Sequence, residues 1–103
     1  MDLRLWLVVV AFAAPGLARA DGVTISSGAR LAATCAACHG TDGATKDLAT
    51  VPRLAGQSQQ ALSASLHAFK AGTRPATIMT QIAKGYTDEQ IEQLAAWFSA
   101  QKP

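Results

Sequence analysis

The sequence lacks the glycine-rich signatures of nucleotide binding, since it contains neither a P-loop nor a GxGxxG dinucleotide motif. The sequence also lacks a large excess of either charge, since 9 Lys and Arg side chains and 7 Asp and Glu side chains give a net charge of +2. This balance excludes a strongly electrostatic nucleic-acid-binding protein and an acidic disordered tail. Only 6% of the residues are aromatic, and many of the apolar ones are alanines. Such a chain has a thin core and needs a disulfide, a metal or a large cofactor for stability.

The apolar run near the N-terminus is too short to span a membrane. It covers ten residues, 5–14, whereas a spanning helix needs about 20 apolar residues. The small residues Ala18 and Ala20 stand at the −3 and −1 positions of a signal-peptidase site. We therefore predict that residues 1–20 are a secretory signal peptide that is cleaved. Residues 21–103 are then expected to form a single domain with no membrane span.

Both cysteines of the chain lie in one pentapeptide, Cys35-Ala36-Ala37-Cys38-His39. The pattern CxxCH is the attachment signature of c-type haem. Two cysteines three positions apart lie on one helical turn, so their thiols can reach both vinyl groups of the porphyrin and form thioethers. The residue that follows lies beneath the iron, where an imidazole binds as the proximal ligand. The motif predicts one covalent haem c, attached through Cys35 and Cys38, with His39 on the iron.

Three other uses of the cysteine pair remain open at this point. A thioredoxin-like dithiol shares the CxxC spacing, but that motif normally lies within an alternating β/α pattern, and no convincing strand is visible here. A structural zinc site needs a ligand besides Cys35, Cys38 and His39, and the other histidine is His67. The third use is a plain structural disulfide in an exported protein. The colour of the purified protein separates haem from these alternatives.

Apolar periodicity and capping residues predict three main helices joined by long loops. Residues 40–54 carry no periodicity and are expected to be a loop, as is the segment around Pro75, with a short helical turn at 82–84. Loops of this length are unusual in so small a domain, but they suit a chain wrapped around a haem. The expected helix boundaries are a start at Ser26 or Ser27, a cap at Ser58, an end before Gly72, and a capping box of Thr87 and Gln90.

Met79 is the candidate for the second axial ligand. It is the only methionine in residues 21–103 and is expected on a non-helical loop. A thioether can bind haem iron and, together with histidine, raises the reduction potential. Filling an apolar gap is the alternative use of this side chain. His67 is the competing ligand, but helical periodicity places it on the polar face of the second helix, where we expect it to be exposed to solvent.

An iron that carries both His39 and Met79 has no vacant coordination site for a substrate. Such a centre transfers electrons and does not activate oxygen or peroxide. The residues therefore predict an electron-transfer protein with no catalytic side chain of its own.

The chain from residue 26 to residue 101 resembles the small bacterial class I cytochromes c. The shared features are the helix leading into CxxCH, the segment VPRLAGQ that includes Pro52, and the segment FKAGTR before the methionine. The resemblance implies the all-α class I cytochrome c fold around one covalent haem, with Gly28 on the first helix crossing close to Trp97 or Phe98 on the last. It also implies that Pro52 offers its carbonyl to His39 and orients the imidazole.

The segment TIMTQIAKGY, residues 77–86, is more specifically similar to the haem subunit of flavocytochrome c sulfide dehydrogenase. In that family the cytochrome subunit accepts electrons from an FAD-containing subunit that oxidises sulfide. The resemblance implies a periplasmic monohaem subunit, not catalytic on its own, with FAD only in its partner and a further protein as electron acceptor. The alternative is a free soluble monohaem cytochrome c that shuttles electrons between respiratory or photosynthetic complexes.

Overall fold

The computed structural model describes residues 25–103 and the isolated positions 11 and 16. The predicted signal peptide, residues 1–20, lies outside the described residues except at those two positions. From residue 25 onward the chain contains helices and no strand, which confirms the all-α class. None of the helices in this part of the chain has the length and apolarity needed to cross a membrane. The α-helices are α1 (Ser27–Ala32), α2 (Ala36–His39), α3 (Gln59–Ala71), α4 (Met79–Lys84) and α5 (Asp88–Ser99), with 3-10 turns at Ala33–Cys35 and Thr41–Gly43.

The N-terminal helical segment leads directly into the cysteine motif. α1 begins where the Ser26 hydroxyl accepts a hydrogen bond from the Ala29 amide at 3.1 Å, which confirms the predicted cap. A 3-10 turn separates α1 from α2, but the backbone stays right-handed until His39. Gly40 then ends the helix with a φ of 82°, and a Cβ at this position would lie 2.8 Å from the Thr45 backbone. The chain therefore turns back immediately after His39.

α1 crosses α5 at a glycine, as the resemblance implied. A Cβ on Gly28 would lie 3.1 Å from the Gln93 carbonyl oxygen and 3.1 Å from the Trp97 Cβ. Trp97 is thus the neighbour of Gly28, whereas Phe98 points into the core, where a Cβ on Gly43 would lie 2.8 Å from its ring. The close approach of the two backbones explains why a residue unfavourable to helices occupies this position.

Gly28→Val is expected to destabilise the protein by about 1–3 kcal/mol, the usual range for a side chain forced into a packed interface. The two added methyl groups would meet the Gln93 carbonyl and Trp97, which belong to the helix itself and not to a flexible side-chain end. Urea unfolding of the haem-loaded protein measures the loss. Ala33→Val is the matched control, because it introduces the same side chain at an exposed position of the same helical segment; equal losses in the two variants would contradict the prediction.

Three further helix boundaries follow the predicted capping residues. The Ser58 hydroxyl accepts a hydrogen bond from the Ala61 amide at the start of α3. Gly72 ends α3 in the left-handed conformation, with a φ of 75°. Thr87 and Gln90 form a complete capping box at the start of α5. Local side-chain chemistry thus fixes the ends of both long helices.

The hydrophobic core of the described residues is small, as the alanine-rich composition predicts. It forms where α1, α3 and α5 meet, and Ile91 and Leu94 are the largest side chains that are completely buried. Half-buried apolar side chains extend this core towards a large cavity. The core cluster consists of Ala32, Leu62, Leu94, Ala95 and Phe98.

The predicted loop position of Met79 is wrong, because Met79 is the first residue of α4. The predicted turn at 82–84 is the C-terminal half of this helix. α4 is only six residues long, so it has little intrinsic stability and depends on packing against α3. Its buried contact is Ala83, which is completely inaccessible to solvent. Within the loop predicted at residues 40–54 the chain makes a short turn at Thr41–Gly43, which is irregular because Asp42 has a left-handed φ of 56°.

Candidate haem-binding site

A cavity of ≈ 620 Å³ brings the cysteine motif and the methionine segment to one place. Residues of α2 and residues around α4 both line it, and one face of α3 contributes Leu62, Leu66 and Phe69. Its volume is within the usual range for a cofactor pocket, and most of its walls are apolar. The predicted haem residues that line it are Cys35, Cys38, His39, Pro52 and Met79.

The two cysteines are free thiols in the structure and are not joined in a disulfide. Cys35 is half-buried and Cys38 is exposed. Burial raises the pKa of the Cys35 thiol, and the neighbouring Cys38 raises it further; these effects outweigh the opposite influence of the adjacent Thr34 hydroxyl. A reactive dithiol needs a lowered pKa, because the thiolate is the nucleophile. A thioredoxin-like dithiol normally lies within an alternating β/α pattern, and residues 25–103 contain helices and no strand.

His39 is buried and has one ring nitrogen engaged. Its Nδ1 lies 2.8 Å from the Pro52 carbonyl oxygen, and since a carbonyl only accepts, Nδ1 carries the proton and donates. The side chain is only 7% exposed, so the ring has little freedom to rotate. This hydrogen bond leaves the lone pair of Nε2 available for a metal.

The described residues give no support to a zinc site. Within residues 25–103 no three His, Cys, Asp or Glu side chains lie close enough together to bind a metal ion. His67, the fourth ligand that such a site would need, is not among the cavity-lining residues. The two histidines therefore belong to different environments.

His67 lies on the opposite side of α3, in a polar contact with α5. Its Nε2 is 3.0 Å from Glu92 Oε1, and its Nδ1 is 3.7 Å from Asp88 Oδ1. Lys70 Nζ also lies 3.0 Å from Asp88 Oδ1, and the Ser63 hydroxyl donates to Glu92 Oε1 at 2.5 Å. The predicted position on the polar face of α3 is confirmed, since the His67 side chain is 39% exposed and does not line the cavity. The structure adds that His67 helps to join α3 to α5.

Both carboxylates of this polar contact are stabilised in their charged form. The Ser63 hydroxyl, followed by His67, lowers the pKa of Glu92, and Lys70 lowers the pKa of Asp88. A lowered pKa means that the charged carboxylate favours the folded state. This contribution is present at pH values above the pKa of the unfolded chain and disappears as the pH falls through the lowered pKa.

Glu92→Gln is expected to cause a small loss of stability at pH 7 that vanishes in acid. The side chain is exposed, so water screens its interactions. As the pH falls through the lowered pKa of Glu92, the wild-type carboxyl becomes protonated and resembles the amide, so the stabilities of the two proteins should converge. Urea unfolding from pH 3 to pH 7 tests this. Glu89→Gln, an exposed residue of the same helix, is the control, and a difference between wild type and Glu92→Gln that persists at low pH would contradict the expectation.

Among the described residues that line the cavity, Arg74 is the only Lys, Arg, Asp or Glu side chain. Its guanidinium lies 4.7 Å from the centre of the Phe69 ring, and its Nη1 donates to the Ser65 hydroxyl at 2.9 Å. These two contacts hold the cation against α3 at the cavity. The guanidinium of Arg74 is therefore a fixed positive charge at the edge of the cavity.

One hydrogen bond across the cavity was not expected from the sequence. Tyr86 and Thr34 both line the cavity, and their hydroxyl oxygens lie 2.9 Å apart. The two residues are 52 positions apart, so no periodicity or local motif relates them. Only the fold brings them together.

The residues present fit a covalently bound haem. Two free thiols three positions apart, an imidazole with an available Nε2 and a thioether all line one mainly apolar cavity. This is the donor set that c-type haem uses, and the apolar lining suits the porphyrin. Neither a zinc site nor a reactive dithiol requires an apolar cavity of this size.

Comparison with known proteins agrees with this geometry. The family model described as cytochrome c matches residues 25–102. The cytochrome subunit of sulfide dehydrogenase from Chlorobaculum tepidum is 42% identical over 76 residues, which is 74% of this chain and 67% of the relative. Cytochrome c-554(548) from Halomonas halodenitrificans is 45% identical over 67% of this chain and 86% of the relative. Cytochrome c4 from Azotobacter vinelandii is 34% identical over the whole chain, which spans only 52% of that protein.

The family match covers the whole described domain, including CxxCH, the Pro52 segment and α4 to α5. It removes the alternatives that the cysteine pair left open, since none of them belongs to this family. The chain is a member of the cytochrome c family, with the all-α class I fold and one covalent haem c.

Proposed function

We propose that this cytochrome c is the periplasmic haem subunit of a flavocytochrome c sulfide dehydrogenase, and that it accepts electrons from an FAD-containing subunit. The observation that carries the electron-transfer role is the meeting of His39 and Met79 at one cavity. The similarity to the Chlorobaculum tepidum cytochrome subunit supports the sulfide dehydrogenase assignment. A downstream protein then receives the electrons.

The roles of the site residues are part of the same proposal. Cys35 and Cys38 would hold the haem through thioethers, and His39 and Met79 would bind its iron. The bound haem supplies a reversible one-electron change at its iron. Pro52 keeps the His39 ring in one orientation by accepting its Nδ1 proton. Leu62, Leu66, Phe69 and the other apolar lining residues exclude water, which lowers the reorganisation that accompanies a change of charge.

The partner is tested by reduction of the ferric protein. We expect a flavoprotein sulfide dehydrogenase subunit with sulfide to reduce the haem rapidly, and the two proteins to co-purify. Ascorbate serves as the control, because it reduces the haem without a partner. Reduction by ascorbate but not by the flavoprotein, with no co-purification, would contradict the subunit role and leave the electron-transfer role standing.

The second candidate is a free monohaem shuttle. Its supporting observation is the similarity to cytochrome c-554(548), of which this chain covers 86%. A shuttle docks transiently, and electrostatic docking makes the association rate fall steeply with salt. A permanent subunit with a mainly apolar interface should show little salt dependence. Stopped-flow reduction between 20 mM and 500 mM NaCl distinguishes the two.

Export through a signal peptide completes the proposal. The apolar run at 5–14 and the small residues Ala18 and Ala20 support cleavage after residue 20. Mass spectrometry of the protein isolated from the periplasm tests this, with Asp21 expected as the first residue. A protein that retains residue 1 and stays in the cytoplasm would contradict both export and haem attachment outside the cytoplasm.

A further inference from the structure

The hydrogen bond between Tyr86 and Thr34 joins the two parts of the chain that meet at the haem. Thr34 immediately precedes Cys35, whereas Tyr86 follows α4, the helix that begins at Met79. The hydroxyl oxygens are 2.9 Å apart, and both side chains line the cavity. The bond thus connects the attachment segment to the methionine segment from one side of the cavity to the other.

A second hydrogen bond sets the direction of the first. The Thr34 hydroxyl donates to the Leu31 carbonyl oxygen at 3.0 Å, so its single proton is already used. The Tyr86 phenol must therefore donate its own proton to Thr34 Oγ1. The acceptor is in turn held by the backbone of the N-terminal helix. The Tyr86 hydroxyl consequently has a fixed partner on the attachment segment and not merely a neighbouring group.

α4 has little to hold it at its N-terminal end. No side chain caps the helix at Ile78, the Ile78 side chain is 60% exposed, and residues 71–78 are all exposed. The C-terminal end is fixed instead, because Ala83 is completely buried and the Tyr86 amide donates to the Ala83 carbonyl at 3.2 Å. The position of Met79 is therefore determined from the end of α4 where Tyr86 is anchored.

We propose that Tyr86 is a positioning residue for Met79 and acts through Thr34. The inference rests on the proposed ligation of the iron by Met79. Covalent attachment at Cys35 keeps the segment of Thr34 next to the haem, so a hydrogen bond from Tyr86 to Thr34 keeps α4 next to it as well. Loss of this bond makes local opening of α4 easier while all the ligands stay present.

Tyr86→Phe tests the proposal, since it removes the hydroxyl and keeps the ring. In the ferric haem-loaded protein, added imidazole can replace Met79 only when α4 opens, so its apparent affinity reports the opening equilibrium. The net value of a protein hydrogen bond corresponds to a factor of about two to twelve, and competition with water at this exposed pair favours the lower part of that range. We expect the Kd of imidazole, followed through the charge-transfer absorption of the iron–thioether bond, to fall by about two- to fivefold.

Thr34→Val should lower the Kd of imidazole by the same factor, because it removes the acceptor of the same bond. The double variant should resemble either single variant, since the bond can be broken only once. Single effects that add in the double variant would overturn the proposal, because they would come from two separate causes. Urea unfolding of each variant shows whether the change in imidazole affinity exceeds any change in global stability.

Thr73→Val is the matched control. It removes a hydroxyl that donates to the Ala68 carbonyl at 3.3 Å, at the end of α3 and away from Tyr86. Its imidazole affinity should equal that of the wild type. An unchanged Kd in Tyr86→Phe, or an equal change in Thr73→Val, would overturn the role of Tyr86. A wild type without the iron–thioether absorption would instead contradict the ligation by Met79, so the two failures are distinguishable.

Discussion

Replacing both Cys35 and Cys38 with alanine is expected to leave the chain largely unfolded. The variant cannot form thioethers, and the cavity of ≈ 620 Å³ then has no permanent occupant. An empty cavity costs about 24 cal/mol per Å³, which corresponds to about 15 kcal/mol for this volume. The cavity is open to solvent on one side, so this is an upper limit.

Even half of that cost is comparable with the entire stability of such a domain. A domain of about 80 residues, such as residues 21–103, has a free energy of unfolding of about 0.05–0.15 kcal/mol per residue, or about 4–12 kcal/mol. Little else is available to compensate, because Ile91 and Leu94 are the largest side chains that the described residues bury completely. The haem therefore supplies a part of the hydrophobic core that the side chains alone do not fill.

Far-ultraviolet circular dichroism and thermal melting of the periplasmic protein measure the effect. The control is Ala33→Ser with Ala37→Ser, two substitutions at exposed positions of the same helical segment that leave the thiols in place. This control should bind haem and melt cooperatively. A Cys35→Ala, Cys38→Ala protein with native helix content and a sharp melting transition would show that the core is sufficient without haem.

Replacing Met79 is expected to have the second large effect, on the reduction potential. Met79→Leu conserves the volume of the side chain but removes the sulfur, so it separates ligation from packing. The thioether favours ferrous iron relative to water or a nitrogen donor. Axial ligands set haem potentials over a range of about 0.8 V, and we expect a fall on the order of 0.1–0.3 V here. The charge-transfer absorption of the ferric protein should disappear, while the haem stays attached through Cys35 and Cys38.

His67→Ala is the control for the axial assignment. The imidazole of His67 lies on the far side of α3, with its Nε2 3.0 Å from Glu92, and it does not line the cavity. The variant should keep the spectrum and the potential of the wild type. A spectrum that changes in His67→Ala and stays the same in Met79→Leu would reverse the assignment and require a bis-histidine iron.

The sequence predicts best those features that depend on neighbouring residues. The caps at Ser26, Ser58 and Thr87 are local hydrogen bonds between residues a few positions apart, and the structure contains all three. CxxCH is equally local, which explains why the cofactor is predictable from five residues. The alternation along α3 is local too: Leu62, Leu66 and Phe69 line the cavity, and the polar residues one position later face α5.

Features that depend on tertiary packing are predicted poorly. α4 is too short to be stable on its own, and its helical state comes from the burial of Ala83. The residues before Met79 are exposed and include Pro75, so the sequence of this segment resembles that of a loop. The hydrogen bond of Tyr86 with Thr34 and the contact of His67 with Glu92 link residues far apart in the chain. No pattern within a window of a few residues contains this information.

The contact of Gly28 with Trp97 has a consequence for how the protein folds. It joins the first helix of the domain to the last, so most of the chain forms a loop that must close before this contact can form. Loop closure costs more entropy as the loop becomes longer, and proteins rich in such contacts fold slowly. The helix pair therefore depends on the other contacts of the domain. Because the haem is covalently attached, an unfolded molecule still carries it. Refolding therefore does not require the capture of a free haem, and its rate should not depend on haem concentration.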